Sequence, residues 1–332
     1  MSTPDPAVAL AQMLDGFRLP QCVYVACALG LPDLVPTEGI DTVDLARRAG
    51  AQPDAIRRLL RALSTAGIFA PMPADAWCGN EASAALTRAH PSGLHDRAIG
   101  LGSLAWASWG ALLQSIRTGQ TAFDAVYGAS FFEHLQQHPD QAAAFGRVMS
   151  SWTRRTAADV TSAVQFDAYA CVVDVGGGHG VFLDAVLAAA PGLRAILVDR
   201  PEVIDAGAPA LAPDRATRVE LVAADAFEDE LPHGDAYVLS WILHDWDDAQ
   251  CTQLLRSCLR ANPNADLLVV EMLLDAEDPR HTATWFDLEM LVQTGGRERS
   301  SADYANLFSA AGRPAPEVIA TGGTHAVLRS RG

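Results

Sequence analysis

The sequence predicts an α/β protein in which a mostly helical N-terminal domain precedes a doubly wound, Rossmann-like parallel sheet. Two observations support this fold class. Up to about residue 155, apolar residues recur at helical spacing. Beyond that point, short β-rich runs alternate with helix-length segments, which is typical of a parallel sheet. We therefore predict domains at residues 1–155 and 156–332.

The composition indicates a globular protein with an acidic surface. Apolar residues make up 49% of the chain, and 40 acids against 24 bases give a formal net charge of −16. This charge repels phosphate backbones, so we expect no nucleic-acid partner. No apolar stretch has membrane-spanning length, and the six cysteines lack zinc-site spacing, so we expect neither a membrane nor a metal. With no secretory signal pattern, a cytoplasmic location follows.

The N-terminal half contains a helix-turn-helix pattern. A helix is predicted at Thr42–Ala49 and stopped by Gly50, and a second helix opens at Pro53 and ends at Gly67. The strand-like run Ile68–Ala70 follows. This order resembles a winged helix and is interpreted as a packing or dimerisation module. Clustered arginines favour DNA reading instead, but the acidic background argues against it.

Five β-rich runs follow residue 155, at Cys171–Val175, Ala195–Val198, Val219–Val222, Ala236–Leu239 and Ala265–Glu271. In a doubly wound parallel sheet, ligands bind beyond the carboxyl ends of the strands. The residues that matter for function should therefore come directly after each run.

A glycine-rich loop follows the first run, from Asp174 to Gly180. Its glycines, among them Gly176 and Gly178, allow a sharp turn and a close approach to a ligand. A dinucleotide fingerprint would need glycine at the sixth position from Gly176, where this chain has Val181. The acid-x-G-x-G-x-G pattern is instead the form seen in S-adenosylmethionine enzymes.

The second and third runs end in acidic residues. Asp199 lies twenty-three residues after Gly176, where an acid can meet ribose hydroxyls. The third run leads to Asp225, Ala226 and Phe227, which can bind an adenine amino group and cover an adenine face. Alternatively, each is an ordinary strand-end turn or core residue. Three consecutive strand ends of this kind favour a cofactor site.

A histidine and three carboxylates form the candidate catalytic group. His244 and Asp245 follow the fourth run, Glu271 ends the fifth, and Glu298 lies in a later glycine-containing loop. Two glutamates brought to one imidazole would fix its tautomer and stabilise its charged form. This combination predicts a general base.

The chain resembles the family of small-molecule O-methyltransferases that includes plant caffeic acid-type and bacterial polyketide-tailoring enzymes. The matching segments are Asp174–Gly180, Asp199–Pro201, Asp225–Phe227, Leu243–Trp246 and Gly295–Glu298. The resemblance covers nearly the whole chain. It implies the class I methyltransferase fold, S-adenosylmethionine as cofactor, and a homodimer joined through an N-terminal domain that helps to close the active site. It also implies a hydroxylated aromatic or polyketide-like acceptor.

Carried over by position, the resemblance makes His244 the base and Glu271 and Glu298 its orienting partners. The implied cofactor contacts are Gly176, Gly178, Asp199, Asp225, Ala226, Phe227, Ser240 and Trp241. The implied acceptor contacts are Phe145, Met149, Trp152 and Met290. Plant members carry lysine at the position of Ser240, which puts one cofactor contact in doubt. Many members carry Pro-Gly-Gly where this chain has Asn262–Asn264.

Three other interpretations remain open at this stage. An enzyme of the same fold could bind the cofactor yet carry out decarboxylation or hydroxylation. A winged-helix regulator could sense a small molecule, and a nicotinamide dehydrogenase is disfavoured by the glycine pattern. The presence of His244 together with both glutamates favours methyl transfer, because the other activities have no use for such a base.

Overall fold

The computed structural model describes residues 5–205, 207, 210–274 and 282–332. The chain divides into two compact units. One comprises the residues up to Ala107 together with Ala143–Ser151, and the other comprises Ser108–Ala142 and Trp152–Gly332. The sequence analysis drew a single boundary at residue 155 because the helical pattern runs unbroken to that point. In the structure, the helical segment 108–142 belongs to the same unit as the large sheet.

The first unit is mostly helical and contains a small antiparallel sheet in which β3 lies between β1 and β2. Its elements in chain order are α1 (Pro6–Asp15), α2 (Arg18–Ala28), α3 (Leu31–Leu34), β1 (Ile40–Asp41), α4 (Thr42–Ala49), α5 (Pro53–Thr65), β2 (Ala70–Met72), β3 (Ala76–Cys78), α6 (Glu81–Ala84), α7 (Leu94–Gly100), a π-helical turn (Leu101–Ala105) and the start of α8 (Trp106–Gly110).

The ends of α4 and α5 follow from local chemistry. The Asp41 side chain accepts hydrogen bonds from the amides of Val43 and Asp44, which caps α4. Gly50 ends that helix in the left-handed conformation, with φ of 65°. Pro53 opens α5, where no backbone N–H is needed. Both helices lie where the pattern predicts them.

The predicted strand at Ile68–Ala70 is wrong for its first two residues. Phe69 is buried and has φ of 63°, a left-handed conformation that no regular strand contains. Strand β2 therefore begins only at Ala70. The apolar side chains of Ile68–Ala70 resemble those of a strand. The Phe69 backbone instead turns the chain, and the Phe69 ring packs in the core of the unit.

The second unit contains the large sheet. Its elements are α9 (Leu112–Thr118), α10 (Ala122–Tyr127), α11 (Phe131–Gln137), α12 (Pro139–Ala163), β4 (Cys171–Val175), α13 (Val181–Ala189), β5 (Arg194–Asp199), α14 (Pro201–Asp205), α15 (Pro213–Ala216), β6 (Val219–Ala223), β7 (Ala236–Ser240), α16 (Asp248–Ala261), β8 (Asp266–Glu271), α17 (Thr282–Gln293), α18 (Ser301–Ala310), β9 (Glu317–Ala320) and β10 (Ala326–Ser330). Helix α12 contributes residues to both units.

The sheet has the strand order β6-β5-β4-β7-β8-β10-β9. Strands β4 to β8 pair in parallel, whereas β10 is antiparallel to both β8 and β9. The predicted doubly wound parallel sheet is confirmed, and the five predicted runs correspond to its parallel strands. The sequence analysis did not predict β9 and β10. Strand β9 is largely exposed at the edge of the sheet and lacks the apolar run of a buried strand.

Alternate residues of each central strand face opposite cores, as a pleated strand requires. In β7, Tyr237 and Leu239 pack with α16 and α18, whereas Ala236 and Val238 pack on the other side with α13. The sheet is therefore covered on both faces. Because the central strands run in parallel, their carboxyl ends lie at one edge of the sheet, and the predicted site residues lie at that edge. No helix in the described part of the chain is long and apolar enough to cross a membrane.

Candidate active site

The loop after β4 has the backbone of a close-approach site. Gly176, Gly178 and Gly180 have φ of 76°, 53° and 79°, in the left-handed region that side chains rarely adopt. A Cβ atom on Gly176 would overlap the Ile242 side chain. The loop then leads directly into α13 at Val181. The glycine pattern therefore corresponds to a tight turn in which the space beside Gly176 is filled by Ile242 and the space beside Gly178 is open.

Asp199 secures this loop from the end of β5. Its two carboxylate oxygens accept hydrogen bonds from the amides of Gly178, at 2.9 Å, and Arg200, at 2.8 Å. Behind the loop, Asp174 is 1% exposed, and its Oδ2 has no hydrogen-bond partner among the described residues. Burial, and to a smaller degree the charge of Asp199, raises the pKa of Asp174 to about 7.

An aromatic surface stands beside Asp225. The Asp225 carboxylate accepts from the Phe227 amide at 2.8 Å, and the Phe227 ring meets the Trp246 ring edge-on at 4.8 Å. Phe132 stacks on Trp246 with centroids 5.7 Å apart, and the Arg200 guanidinium lies 5.6 Å from the Phe132 ring. Trp246 and Phe132 were not among the predicted site residues. Trp246 could have been predicted as a site residue, because it belongs to the Leu243–Trp246 motif. Phe132 could not, because its segment was assigned to the N-terminal domain and contains no motif.

Ser240 ends the central strand β7, and Trp241 follows directly after it. The Ser240 hydroxyl is buried and has no hydrogen-bond partner in the described ranges. Trp241 has φ of 60°, a left-handed conformation that is uncommon outside glycine and often marks a functional site. Its indole N–H is likewise buried without a described acceptor. The strained backbone of Trp241 therefore turns its indole ring, with the unpaired N–H, away from β7.

The Trp241 ring lies among other rings close to the candidate base. Its centroid is 5.6 Å from the His244 ring and 5.7 Å from that of Phe286. It is also 4.3 Å from the His325 ring and 5.8 Å from the Trp152 ring. Trp241 is predicted as a cofactor contact and Trp152 as an acceptor contact, and their rings lie next to each other.

His244 lies in a 3₁₀ turn and is 4% exposed. Its Nδ1 is 2.8 Å from Glu298 Oε1 and 3.6 Å from Glu271 Oε2, whereas its Nε2 is 4.0 Å from Asp245 Oδ1. The structure thus brings together all four predicted catalytic residues. Glu298 forms the hydrogen bond, and Glu271 contributes charge from slightly farther away.

Glu271 also shapes the turn that carries the base. Its Oε1 accepts hydrogen bonds from the amides of Ile242, at 3.0 Å, and Leu243, at 2.8 Å. A buried carboxylate at the end of β8 therefore caps the short 3₁₀ turn and holds its first residues in place.

Both glutamates lie on the Nδ1 side of the imidazole, and this arrangement selects one tautomer. With the Nδ1 proton donated to Glu298, the Nε2 lone pair is left to accept a proton. Burial by itself would lower the pKa of His244. The carboxylates of Glu271, Asp245 and Glu298 together outweigh burial and raise that pKa, which makes Nε2 a stronger proton acceptor. Burial in turn raises the pKa of both Glu271 and Asp245.

The loop at residues 295–299 packs directly against the His244 turn. A Cβ atom on Gly296 would overlap the His244 carbonyl oxygen, so only glycine allows this approach. The Arg297 amide donates to that same carbonyl at 2.8 Å. The close contact carries Glu298 to the imidazole.

Arg299 clamps the same turn from within the core. It is 1% exposed and donates to the carbonyls of Leu243, at 2.9 Å, and Trp246, at 2.8 Å. Its Nε and Nη2 both bind Asp248 Oδ1, at 3.0 and 2.8 Å. Arg299 is not predicted as a site residue, because nothing in the sequence indicates that a lone arginine beside a predicted loop is buried.

His244, Glu271 and Glu298 also form a group in the described part of the chain whose atoms lie within 4.8 Å of one another, as a metal ion would require. The 2.8 Å separation of Nδ1 and the Glu298 oxygen is that of an N–H···O hydrogen bond. A metal ion would need that nitrogen without its proton. We therefore interpret the group as a hydrogen-bonded base, and the absence of a metal remains a prediction.

The four predicted acceptor contacts fall in different units. Trp152 and Met290 belong to the sheet unit, where the Trp152 ring lies 5.3 Å from Phe286. Met290 is buried, and its sulfur accepts from the Thr294 hydroxyl at 3.7 Å. Phe145 and Met149 are half-buried on the part of α12 that belongs to the first unit. Their role in acceptor binding remains a prediction.

Comparison with known families and proteins identifies the chain. The O-methyltransferase domain family matches residues 109–314, and the O-methyltransferase dimerisation domain family matches residues 11–88. The chain therefore belongs to the O-methyltransferase family.

Curated relatives match over nearly the full length. A phenazine O-methyltransferase of Lysobacter antibioticus is 33% identical over 97% of this chain and 95% of its own length. A 3-amino-4-hydroxybenzoate 4-O-methyltransferase of Streptomyces cremeus is 36% identical over 94% of this chain and 86% of its own.

A solved O-methyltransferase from neocarzinostatin biosynthesis, in complex with S-adenosylmethionine and 2-hydroxy-5-methyl naphthoic acid, superposes with a TM-score of 0.83. It is 30% identical to this chain, with coverage of 94% of this chain and 95% of its own. These findings confirm the predicted family, fold class and enzyme class, and, at the level of the family, the predicted cofactor.

The close approach of Gly296 to the His244 turn gives a first prediction. Gly296→Ala should cost about 1–3 kcal/mol or more in the free energy of unfolding, because the added methyl group meets backbone rather than a movable side chain. It should also lower turnover by displacing Glu298. Denaturant unfolding and initial rates would measure both effects. Gly192→Ala is the matched control, because a Cβ atom there meets nothing within 4 Å. Equal behaviour of the two variants would contradict the assigned packing.

The Arg299 clamp gives a second prediction with an internal control. Arg299→Met should destabilise the fold by about 3 kcal/mol or more, because the carbonyls of Leu243 and Trp246 lose a charged donor. Arg297→Met removes an exposed arginine that pairs with the same aspartate at 2.7 Å, and it should cost no more than about 1 kcal/mol. Chemical denaturation of both variants tests this difference, and similar losses would show that Arg299 is not a clamp.

Proposed function

We propose that this chain transfers a methyl group from S-adenosylmethionine to a hydroxyl group of a small aromatic secondary metabolite, with His244 as the general base. The observation that carries the proposal is the arrangement of both glutamates on Nδ1 of His244, which leaves Nε2 to receive a proton. The aromatic acceptors named for relatives, a phenazine and an aminohydroxybenzoate, support the acceptor class.

The residues at the strand ends fit this cofactor. The tight turn at Gly176, the open space beside Gly178 and the carboxylates of Asp199 and Asp225 suit an amino-acid tail, a ribose and an adenine. Two buried polar atoms without described partners, Asp174 Oδ2 and the Ser240 hydroxyl, suit further polar groups of a ligand. We assign Ala226, Phe227 and Trp241 to the same site, as the sequence analysis predicts.

When bound, the cofactor supplies a methyl group already activated by its sulfonium sulfur. The protein must therefore orient an acceptor hydroxyl and remove its proton. His244 Nε2 takes that proton, and Glu298 and Glu271 stabilise the resulting imidazolium. Trp241, Phe286 and Trp152 present flat apolar faces beside the base, which suits an aromatic acceptor and excludes water.

We further propose that the chain forms a homodimer through its N-terminal residues. The matched dimerisation domain covers residues 11–88. Apolar side chains are exposed along α1 and α2 and between them, namely Val8, Leu10, Met13, Leu14, Phe17, Leu19 and Val25. Exposed apolar side chains clustered along one stretch of the chain are typical of a protein interface. The cytoplasmic location and the lack of a nucleic-acid partner remain predictions from the sequence.

His244→Asn should reduce methyl transfer by a factor of about 10²–10⁴ while leaving cofactor binding nearly unchanged. A radiolabelled-methyl assay with a panel of phenols, with calorimetric titration of S-adenosylhomocysteine, measures the two quantities separately. His233→Asn is the control, because that histidine is exposed at a loop in the same unit. Full activity in His244→Asn would remove the base assignment. Cofactor binding without methylation of any phenol by the wild type would favour the decarboxylase or hydroxylase interpretation.

The pH dependence of turnover gives a further prediction. The carboxylates raise the pKa of His244, so Glu298→Gln should lower it, because a neutral amide no longer stabilises the imidazolium. The rising limb of kcat/KM should therefore move to lower pH, by about 1–3 units. The amide oxygen can still accept from Nδ1, which preserves the tautomer. Glu228→Gln, at an exposed glutamate, should leave the profile in place. A limb that stays fixed in Glu298→Gln would show that His244 does not control it.

A further inference from the structure

A polar cluster on α17 has no part in the proposed proton transfer. Glu289 Oε2 accepts from the Trp109 indole N–H at 2.6 Å, and Glu289 Oε1 accepts from Gln293 Nε2 at 3.1 Å. Gln293 is 5% exposed, and its own carbonyl oxygen has no hydrogen-bond partner in the described part of the chain. A carboxylate and an amide are thus held together on the inner side of a helix.

This cluster lies on the helix face that approaches the base. Residues 286, 289 and 293 follow helical spacing and therefore share one face of α17. The Phe286 ring contacts that of Trp241 at 5.7 Å, and the Trp241 ring contacts that of His244 at 5.6 Å. Glu289 is one helical turn beyond Phe286. An acceptor that extends from His244 past Phe286 would therefore approach Glu289.

The cluster contains more hydrogen-bond acceptors than donors. Each oxygen of Glu289 can accept two hydrogen bonds and receives one from the described residues, and the Gln293 carbonyl receives none. A buried acceptor without a donor, such as the Gln293 carbonyl, is rare in folded proteins and calls for an explanation. Helix α9 packs against α17, and it carries a further buried hydroxyl, that of Ser115, without a described partner.

The hydrogen bonds and the burial of Glu289 act on the pKa and the orientation of its carboxyl group. Burial raises the pKa of the Glu289 carboxyl, whereas the bonds from Gln293 and Trp109 oppose that rise. The indole and the amide hold the carboxylate in one orientation before any ligand arrives. A ligand group with an N–H or O–H could therefore donate to this cluster with little further loss of conformational entropy.

We propose that Glu289 and Gln293 form a specificity site that binds a second hydrogen-bond donor on the acceptor, an amino or hydroxyl group away from the hydroxyl that is methylated. The inference rests on the proposed function, since it concerns the acceptor of the same reaction. It restricts that acceptor to aromatic compounds with at least two donor groups. Trp109 acts as a positioning residue, because it orients the carboxylate through its indole N–H.

Binding, rather than turnover, gives the direct test. The enzyme saturated with S-adenosylhomocysteine is titrated by calorimetry with dihydroxynaphthalenes and aminonaphthols, and with 2-naphthol, which lacks the second donor. We expect the best donor-bearing compound to bind the wild type at least about 10-fold more tightly than 2-naphthol. The ratio of the two affinities is the measured quantity, so a general loss of affinity in a variant does not affect the conclusion.

Two variants identify the groups responsible. Glu289→Gln keeps the shape but replaces a charged acceptor with a weaker neutral one, so it should reduce the ratio. Glu289→Leu should bring the ratio close to one. If the leucine variant does not fold, Gln293→Leu, which removes the unpaired carbonyl, should also reduce it. A wild-type ratio near one, or a ratio unchanged in these variants, would overturn the inference.

Methyl transfer to the same compounds separates this inference from the proposed function. A donor preference in binding that Glu289→Leu abolishes, without methylation of any hydroxyl, would support the specificity site and refute the proposed function. Methylation of mono- and dihydroxy compounds with equal kcat/KM, in the wild type and in Glu289→Leu, would support the function and refute the site.

Discussion

The hydrogen bond between His244 Nδ1 and Glu298 is the contact on which the site depends, and it joins two segments distant in sequence. Several independent features converge to form it. Gly296 lets the loop at 295–299 reach the backbone of the His244 turn, and Arg299 ties the carbonyls on either side of His244 to the same loop. Glu271 caps the turn from the neighbouring strand. The imidazole is therefore fixed by backbone contacts as much as by its own partners, which is the preorganisation that proton transfer requires.

The parallel sheet explains why a few short motifs hold so much of the chemistry. A strand buried on both faces offers functional groups only where it ends, and parallel pairing brings those ends to one edge. The residues predicted to bind the cofactor after β4, β5 and β6, and His244 after β7, thus lie along one edge in the order that the topology dictates. Trp241 shows the cost of this arrangement. Its left-handed backbone is unfavourable in isolation, and it turns the indole toward the base.

The sequence was sufficient for features encoded by local spacing and insufficient for those that arise from distant contacts. The parallel strands, the helices α4 and α5, and the residues that follow each strand could be predicted because period, glycines and strand ends are local signals. The contact of Trp109 with Glu289 spans 180 residues and has no such signal. The same holds for Arg299, because burial of an arginine depends on carbonyls that only the folded chain brings near it. The grouping of the segment 108–142 with the sheet unit likewise has no local signal, since a helical pattern does not show which surface the helix covers.

The distribution of charge connects the fold to the class of cofactor. Three carboxylates surround His244, and Asp174 is a further buried acid behind the glycine loop. Such a concentration of acids in a buried site is unfavourable by itself, as the raised pKa values of Asp174 and Glu271 indicate. A ligand that brings positive charge relieves this cost, whereas a pyrophosphate would increase it. The glycine pattern of the loop already disfavours a dinucleotide, because Val181 stands where that fingerprint needs a glycine. The buried acids of the same unit add a preference for a positively charged sulfonium cofactor.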